Sequence, residues 1–424
     1  MDNFLKQAIE LDDADQLSGF RDKFFFENDD IIYLDGNSLG RLPMQTKKLI
    51  TEVVEKQWGS KLINSWNENW IGLPKRIASK IAKLIGAQED EVFVGDSTSL
   101  NLYKLAFSAF SYDKTKTKII SDSLNFPTDL YVIQGLINQQ FKTHKLELVE
   151  SENGIQVSES MISKLLDKHT ALVSLSHVAF KSSFMYDMKR ISKLAHLNKS
   201  LIVWDLSHST GVVPINLSES GADMAIGCTY KYLNGGPGAP AFLYVRKALQ
   251  DKLTNPVWAW FSHSEPFKFL NDYEASNSIE KFATGTPSII SLAAIEPGLD
   301  ITLEAGMDKI RDKSIKQSTF MIEMIQELLS PLGFVIASPL QSDQRGSHIS
   351  IQHSEAYRIS QAMIAPNNGS KSIIPDFRPP NNIRLGIAPL YNSFLDIYET
   401  VVRIQAIVAE NQFQDYSMER KHVT

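Results

Sequence analysis

Lys231 stands in the run Thr229-Tyr230-Lys231-Tyr232-Leu233-Asn234, just past the apolar stretch Met224-Ala225-Ile226. Earlier in the chain, Asp205 ends another apolar stretch, Leu201-Ile202-Val203-Trp204. A lysine and an acid leaving the same ends of two buried strands is the pairing that pyridoxal 5′-phosphate chemistry needs. The amine joins the cofactor aldehyde as an imine, and the carboxylate keeps the pyridine nitrogen protonated so that the ring can accept electrons.

In parallel α/β sheets ligands bind beyond the carboxyl ends of the strands, so the polar residues after each apolar run are the ones to inspect. Val92-Phe93-Val94 is followed by Gly95-Asp96-Ser97-Thr98-Ser99. Hydroxyls and free N–H groups opening a helix make a phosphate seat, although a Ser or Thr there also serves as a simple N-cap. The next strand leads to Asn125-Phe126-Pro127-Thr128-Asp129, an aromatic that can lie on a ring and then a second carboxylate. Its plainer reading is a turn opening a helix with proline in first position. Ser176 follows a further strand, Asp205 through His208 the one after, and Tyr230-Lys231 the last. Each signal is weak alone. Phosphate ligands, a stacking aromatic, a nitrogen partner, a histidine and an imine lysine at successive strand ends favour the cofactor together.

The elements that position these residues are legible as pattern. Short apolar runs at 92–94, 118–120, 146–149, 171–175, 201–204, 224–226 and 241–245 alternate with helical periodicity, and several are continuous, as strands covered on both faces are. Leu100, Tyr103, Phe107 and Phe110 recur at three- and four-residue steps, which predicts a helix from about Ser99. The expectation is an α/β protein with a mostly parallel, helix-covered sheet in a large domain, residues 55–300. A smaller α+β domain is expected from residues 1–54 and 301–424, with a long helix near 307–329 and strands near 334–336, 348–351 and 383–385. At 424 residues two domains are the natural division. A net charge of −6 without a basic stripe disfavours nucleic acid. The single cysteine, Cys228, suits a reducing compartment, and the N-terminus shows neither a signal nor a transit pattern. A cytoplasmic protein is the expectation. The nine histidines show no metal-ligand spacing.

The motifs together resemble those of the kynureninases, a pyridoxal-phosphate family of the fold type I (aspartate aminotransferase) class. They are Asp35-Gly36-Asn37-Ser38-Leu39-Gly40, Phe126-Pro127-Thr128-Asp129, Trp204-Asp205-Leu206-Ser207-His208, Thr229-Tyr230-Lys231-Tyr232-Leu233-Asn234, Gly285-Thr286-Pro287 and Arg384-Leu385-Gly386-Ile387-Ala388-Pro389-Leu390-Tyr391. The resemblance implies that Lys231 carries the cofactor and Asp205 pairs with its ring nitrogen. Asp129 would be a second carboxylate on that side, and Phe126 would lie on the ring face. Thr98, Ser99, Thr128, Ser176, His208 and Tyr230 would hold phosphate and ring substituents, Tyr230 also assisting proton transfer. Trp260 and Thr286 would reach the phosphate from the partner of a homodimer. Arg384 would clamp the substrate carboxylate, with Asn37, Ser38, Trp66, Gly285 and Thr286 shaping the substrate pocket. The implied reaction is hydrolysis of L-kynurenine to anthranilate and L-alanine, with 3-hydroxykynurenine as a further substrate. Two departures stand out. His177-Val178-Ala179-Phe180-Lys181-Ser182-Ser183 replaces the common His-Val-Asn-Tyr-Arg-Ser-Gly, and Lys281 stands where arginine is frequent.

Other chemistries fit less well. Gly36-Asn37-Ser38-Leu39-Gly40 matches a nucleophile-elbow pattern, yet the upstream chain is too short for the strands and oxyanion loop of an α/β-hydrolase. A cysteine desulfurase needs a thiol on a loop after the lysine, and Cys228 precedes it.

Overall fold

The computed structural model describes residues 3–27, 30–367 and 369–420. After a first short strand, β1 (Ile31–Tyr33), seven strands form the main sheet. They are β2 (Val92–Val94), β3 (Lys118–Asp122), β4 (Lys145–Val149), β5 (Thr170–Ser176), β6 (Leu201–Asp205), β7 (Met224–Gly227) and β8 (Phe242–Val245). Their spatial order is β2-β8-β7-β6-β5-β3-β4. Only β8 runs against its neighbours β2 and β7; the β7-β6, β6-β5, β5-β3 and β3-β4 pairs are parallel. The parallel strands therefore deliver their carboxyl ends to one edge.

Alternate residues of each strand enter two cores, which is why the runs are continuous. Val173, Leu175, Ile202 and Trp204 pack into one, and Leu172, Leu201 and Val203 into the other. The first core is closed by the helix Leu73–Ile85, with Ile77, Ile81 and Ile85 buried at four-residue steps, and by Ile289–Ala305. The second is closed by the helix Thr98–Tyr112, through Leu102, Leu105, Ala106 and Ala109.

A third core belongs to the rest of the chain. Strands β9 (Val335–Ile336), β10 (His348–Gln352), β12 (Asp376–Arg378) and β13 (Asn382–Gly386) form an antiparallel sheet in the order β12-β13-β10-β9. Strand β11 (Ser372–Ile374) pairs with β1 in parallel as a separate two-stranded sheet, and a bridge between Asp35 and Gly386 joins the N-terminal segment to the antiparallel one. The helices Met307–Met324 and Phe394–Ala409 cover it. Residues 1, 2, 28, 29, 368 and 421–424 of the expected smaller domain lie outside the described residues.

A fourth cluster bridges the two sheets. Val212, Val213 and Tyr232 meet Ala388, Leu390 and Tyr391. Here the turn after β1 wedges against the loop that carries Lys231. The Gly40 N–H donates to the Tyr230 carbonyl at 2.7 Å, and a Cβ on Gly40 would lie 2.2 Å from the Lys231 carbonyl oxygen. Only glycine allows so close an approach of two backbones.

Candidate active site

Asp205 is the last residue of β6, beside Ser176 of β5 and Ile226 of β7. Its Oδ1 accepts from the Ser207 N–H at 2.9 Å, which fixes the carboxylate at the sheet edge. Lys231 lies in the loop after β7, and its Nζ sits 2.9 Å from His208 Nε2 and 5.9 Å from the centroid of the Phe126 ring. Burial first, and then the Lys231 charge, hold the His208 imidazole neutral by pushing its pKa well below the usual range. A neutral ring with Nε2 accepting from lysine carries its hydrogen on Nδ1, a buried atom with no partner among the described residues.

Asp129, in the first turn of the helix Pro127–Gln139, completes the polar group. Burial and the neighbouring Asp205 carboxylate raise its pKa well above the usual carboxylate range, against a smaller opposing pull from Lys231. Of the two acids, Asp129 is thus built to keep a proton. Tyr230 is pushed up as well, by burial first and then by Cys228 and Asp205, so its phenol stays protonated.

Thr98 and Ser99 open the helix Thr98–Tyr112, but the N-cap is Ser97, whose Oγ accepts from the Leu100 N–H at 3.3 Å. The capping role therefore falls to Ser97 and leaves Thr98 and Ser99 without it. No hydrogen bond engages the Thr98 or Ser99 hydroxyl among the described residues, and both line a cavity of about 1140 Å³. Phe126, Thr128, Tyr230, Gly285 and Thr286 line the same cavity. A helix N-terminus with free hydroxyls suits a phosphate, and the Lys231 amine, the Phe126 ring and Asp205 suit an aldehyde-bearing pyridine. The residues fit pyridoxal phosphate.

The Thr98 turn is braced from behind by residues that sequence reading passed over. Lys104, wholly buried, donates to Asp96 Oδ2 at 2.5 Å and to the Phe282 carbonyl at 2.6 Å, while the Thr284 hydroxyl donates to Asp96 Oδ1 at 2.9 Å. A signal existed: Asn101, Lys104 and Ser108 form a polar stripe at three- and four-residue steps, and all three are buried. The Ser176 hydroxyl donates to Asn125 Oδ1 at 2.7 Å, and Ser176, like Asp129, Asp205, His208 and Lys231, is not among the residues lining the cavity.

Arg384 lies on β13, 1% exposed. Its Nε donates to Asp376 Oδ2 at 2.5 Å, Nη1 to the Phe180 carbonyl at 2.6 Å and Nη2 to Ser38 Oγ at 3.0 Å. Arg378 shares Asp376 at 2.8 Å. Asn37, beside Ser38, is fully buried with both side-chain polar atoms unpartnered among the described residues. Asp35 has its carboxyl raised to about 6, by burial first and then by Asp376. Trp66 packs edge-on against Trp70 and stacks on Phe261, a cavity-lining residue. Trp260 is not among the residues lining its own chain's cavity, and its indole donates to the Pro266 carbonyl at 2.6 Å. Lys281 serves packing: its ammonium donates to the Gln250 carbonyl at 2.6 Å.

The fold is shared with proteins of known structure. A cysteine desulfurase from Thermococcus onnurineus NA1 superposes with a TM-score of 0.75 at 20% identity, over 89% of this chain and 95% of that one. The cystine C–S lyase C-DES gives 0.76 at 14% identity over 88% and 97%. Sequence likeness goes further. A family model described as the kynureninase C-terminal domain matches residues 310–404. Kynureninase from Pseudomonas fluorescens is 38% identical over 417 residues, 96% of this chain and 97% of that protein. Kynureninase from Burkholderia mallei is 36% identical over 408 residues, 95% of each. With relatives of that name matching it from end to end, the chain belongs to the kynureninase family.

Proposed function

We propose that this protein hydrolyses L-kynurenine to anthranilate and L-alanine with pyridoxal 5′-phosphate as its cofactor, and 3-hydroxykynurenine to 3-hydroxyanthranilate by the same route, in tryptophan breakdown. The observation that carries the reading is the Lys231 amine, held by His208 above the Phe126 ring at the sheet edge where Asp205 ends. When bound, the cofactor supplies an aldehyde that bonds to amines and a protonated ring that draws electrons from the substrate Cα.

The protein's own residues supply the rest. Thr98 and Ser99 would hold the phosphate at the helix terminus. Asp205 would keep the ring nitrogen protonated, and Phe126 would cover the ring. Lys231 would hold the aldehyde, and its amine, kept in place by His208 at 2.9 Å, would move the substrate Cα proton. Arg384 receives the substrate carboxylate with its Nη atoms, Nη1 in place of the Phe180 carbonyl and Nη2 shared with Asp376, which also holds Nε. Tyr230, protonated and facing the cavity, assists as acid when water cleaves the Cβ–Cγ bond.

The protein acts as a homodimer in the cytoplasm. Trp258, Trp260, Phe267 and Phe269 form an exposed apolar group of the kind that a second subunit covers, and Trp260 on it would reach the partner's phosphate. Thr286 lines its own chain's cavity and lies near enough to serve there as well. The buried, unpaired Cys228 suits a reducing compartment. No helix among the described residues is long and apolar enough to cross a membrane. Fluorescence detection of anthranilate from kynurenine tests the reaction: wild-type protein produces it, and Lys231→Ala does not. Equal rates in the two would refute the assignment of Lys231.

A further inference from the structure

The loop after β5 takes no part in the reaction as described, yet it touches both halves of the site. It is closed on itself, the Ser183 N–H donating to the Ala179 carbonyl at 2.9 Å with Ser183 at φ 66°. It is also tied to the antiparallel sheet, by the bridge between Phe184 and Arg345 and by the Ser350 hydroxyl donating to the Lys181 carbonyl. Within this frame Phe180 faces two ways. Its ring meets Phe126 edge-on, with centroids 5.2 Å apart and planes at 88°. Its carbonyl accepts from Arg384 Nη1 at 2.6 Å.

The second contact has a consequence for binding. A carboxylate gripped in a fork by both Nη atoms must displace or share the partners already there, the Phe180 carbonyl on Nη1 and, on Nη2, the Ser38 hydroxyl and the Asp376 carboxylate. The first contact then carries the change to the ring that covers the cofactor, because carbonyl and ring belong to one residue. We propose that Phe180 is a positioning residue that sets the separation between the aromatic cover of the cofactor and the guanidinium that receives the substrate carboxylate. The inference rests on the roles given above to Phe126 and Arg384.

The test compares wild-type holoprotein with Phe180→Leu, Phe180→Tyr and Ser350→Ala. Binding of L-alanine, which brings the carboxylate and amine without the aryl group, is titrated by the holoprotein's absorbance. Cofactor loss is timed by dialysis, and kcat and KM are measured on kynurenine. Loss of an aromatic edge contact corresponds to roughly three- to tenfold in affinity. Phe180→Leu is expected to weaken L-alanine binding and speed cofactor loss by about that factor, with KM rising more than kcat falls. Phe180→Tyr, which keeps the ring, stays within about twofold of wild type, and Ser350→Ala moves in the direction of Phe180→Leu by a smaller factor. A purely structural role would reduce the folded yield without altering these constants in the folded fraction. Folded Phe180→Leu with wild-type L-alanine affinity and cofactor retention overturns the proposal, as does Phe180→Tyr behaving like Phe180→Leu. If Phe180→Leu fails to fold, a wild-type result for Ser350→Ala overturns it. Failure of wild-type protein to cleave kynurenine would instead overturn the functional reading, and that outcome is visible without any variant.

Discussion

Replacing Lys104 with methionine removes the cation behind the proposed phosphate seat while keeping most of the side-chain volume. Lys104 is 0% exposed and the Asp96 side chain 15%, at the cavity wall, so little water reaches either charge when its partner is lost. Burial already pulls the Lys104 pKa down, and the Asp96 carboxylate is what resists that pull. Breaking such a pair on one side costs about 3–5 kcal/mol, because a buried carboxylate is left uncompensated. That is a large share of a total stability of roughly 5–15 kcal/mol. The loss has a local component too, since Asp96 also holds Thr284 and directs the turn into Thr98 and Ser99. Urea unfolding with and without saturating cofactor separates the two effects: the cofactor-free midpoint reports stability, and the gap between midpoints reports affinity. The variant is expected to lose about 3–5 kcal/mol and to show a narrower gap. Asp96→Asn in the Lys104→Met background should restore part of the stability. A loss below about 1 kcal/mol, the range of an exposed pair, with an unchanged gap would show that the ion pair neither stabilises the fold nor braces the seat.

Three further outcomes are expected. Arg384→Ala should reduce kcat/KM on kynurenine by about 2–5 kcal/mol of transition-state stabilisation; unchanged kinetics would remove Arg384 from the site. Asp35 titrates at about 6 in the fold, above its ordinary value, so the folded state binds the extra proton and stability falls as pH rises from about 4 to about 6. Asp35→Asn should remove that component, so the stability difference between variant and wild type grows across this window and levels off above it; a pH-independent difference would contradict the shift. Ser183 occupies the left-handed region with its hydroxyl buried and unpartnered among the described residues, so Ser183→Gly should stabilise the protein by about 1 kcal/mol in urea unfolding; destabilisation would mean that the backbone there is not strained.

The main sheet was legible because parallel strands buried on both faces leave uninterrupted apolar runs, and β5, β6 and β7 are such runs. The reversal of β8 was not, since strand direction follows from connectivity and leaves no mark on composition. Strand β12 was missed for a related reason: Asp376 and Arg378 make it read as a charged loop, although Asp376 is buried against Arg384. In the site, Lys231 and Asp205 announced themselves as polar residues ending apolar runs. Arg384, Trp66 and Trp260 came only from resemblance. Phe180 entered the sequence reading as part of a divergent loop, and what it does there depends on a backbone carbonyl that every residue possesses. Lys104 and Asp96 needed the helix to bring them together before either had a meaning.

The proposed reaction begins from a covalent bond between the Lys231 amine and the cofactor aldehyde. Borohydride reduction of the purified, cofactor-loaded protein followed by peptide mapping tests it directly. The pyridoxyl group should be recovered on the peptide containing Lys231 and on no other, with Lys231→Ala left unlabelled. A label on another lysine, or none on yellow protein, would contradict the account.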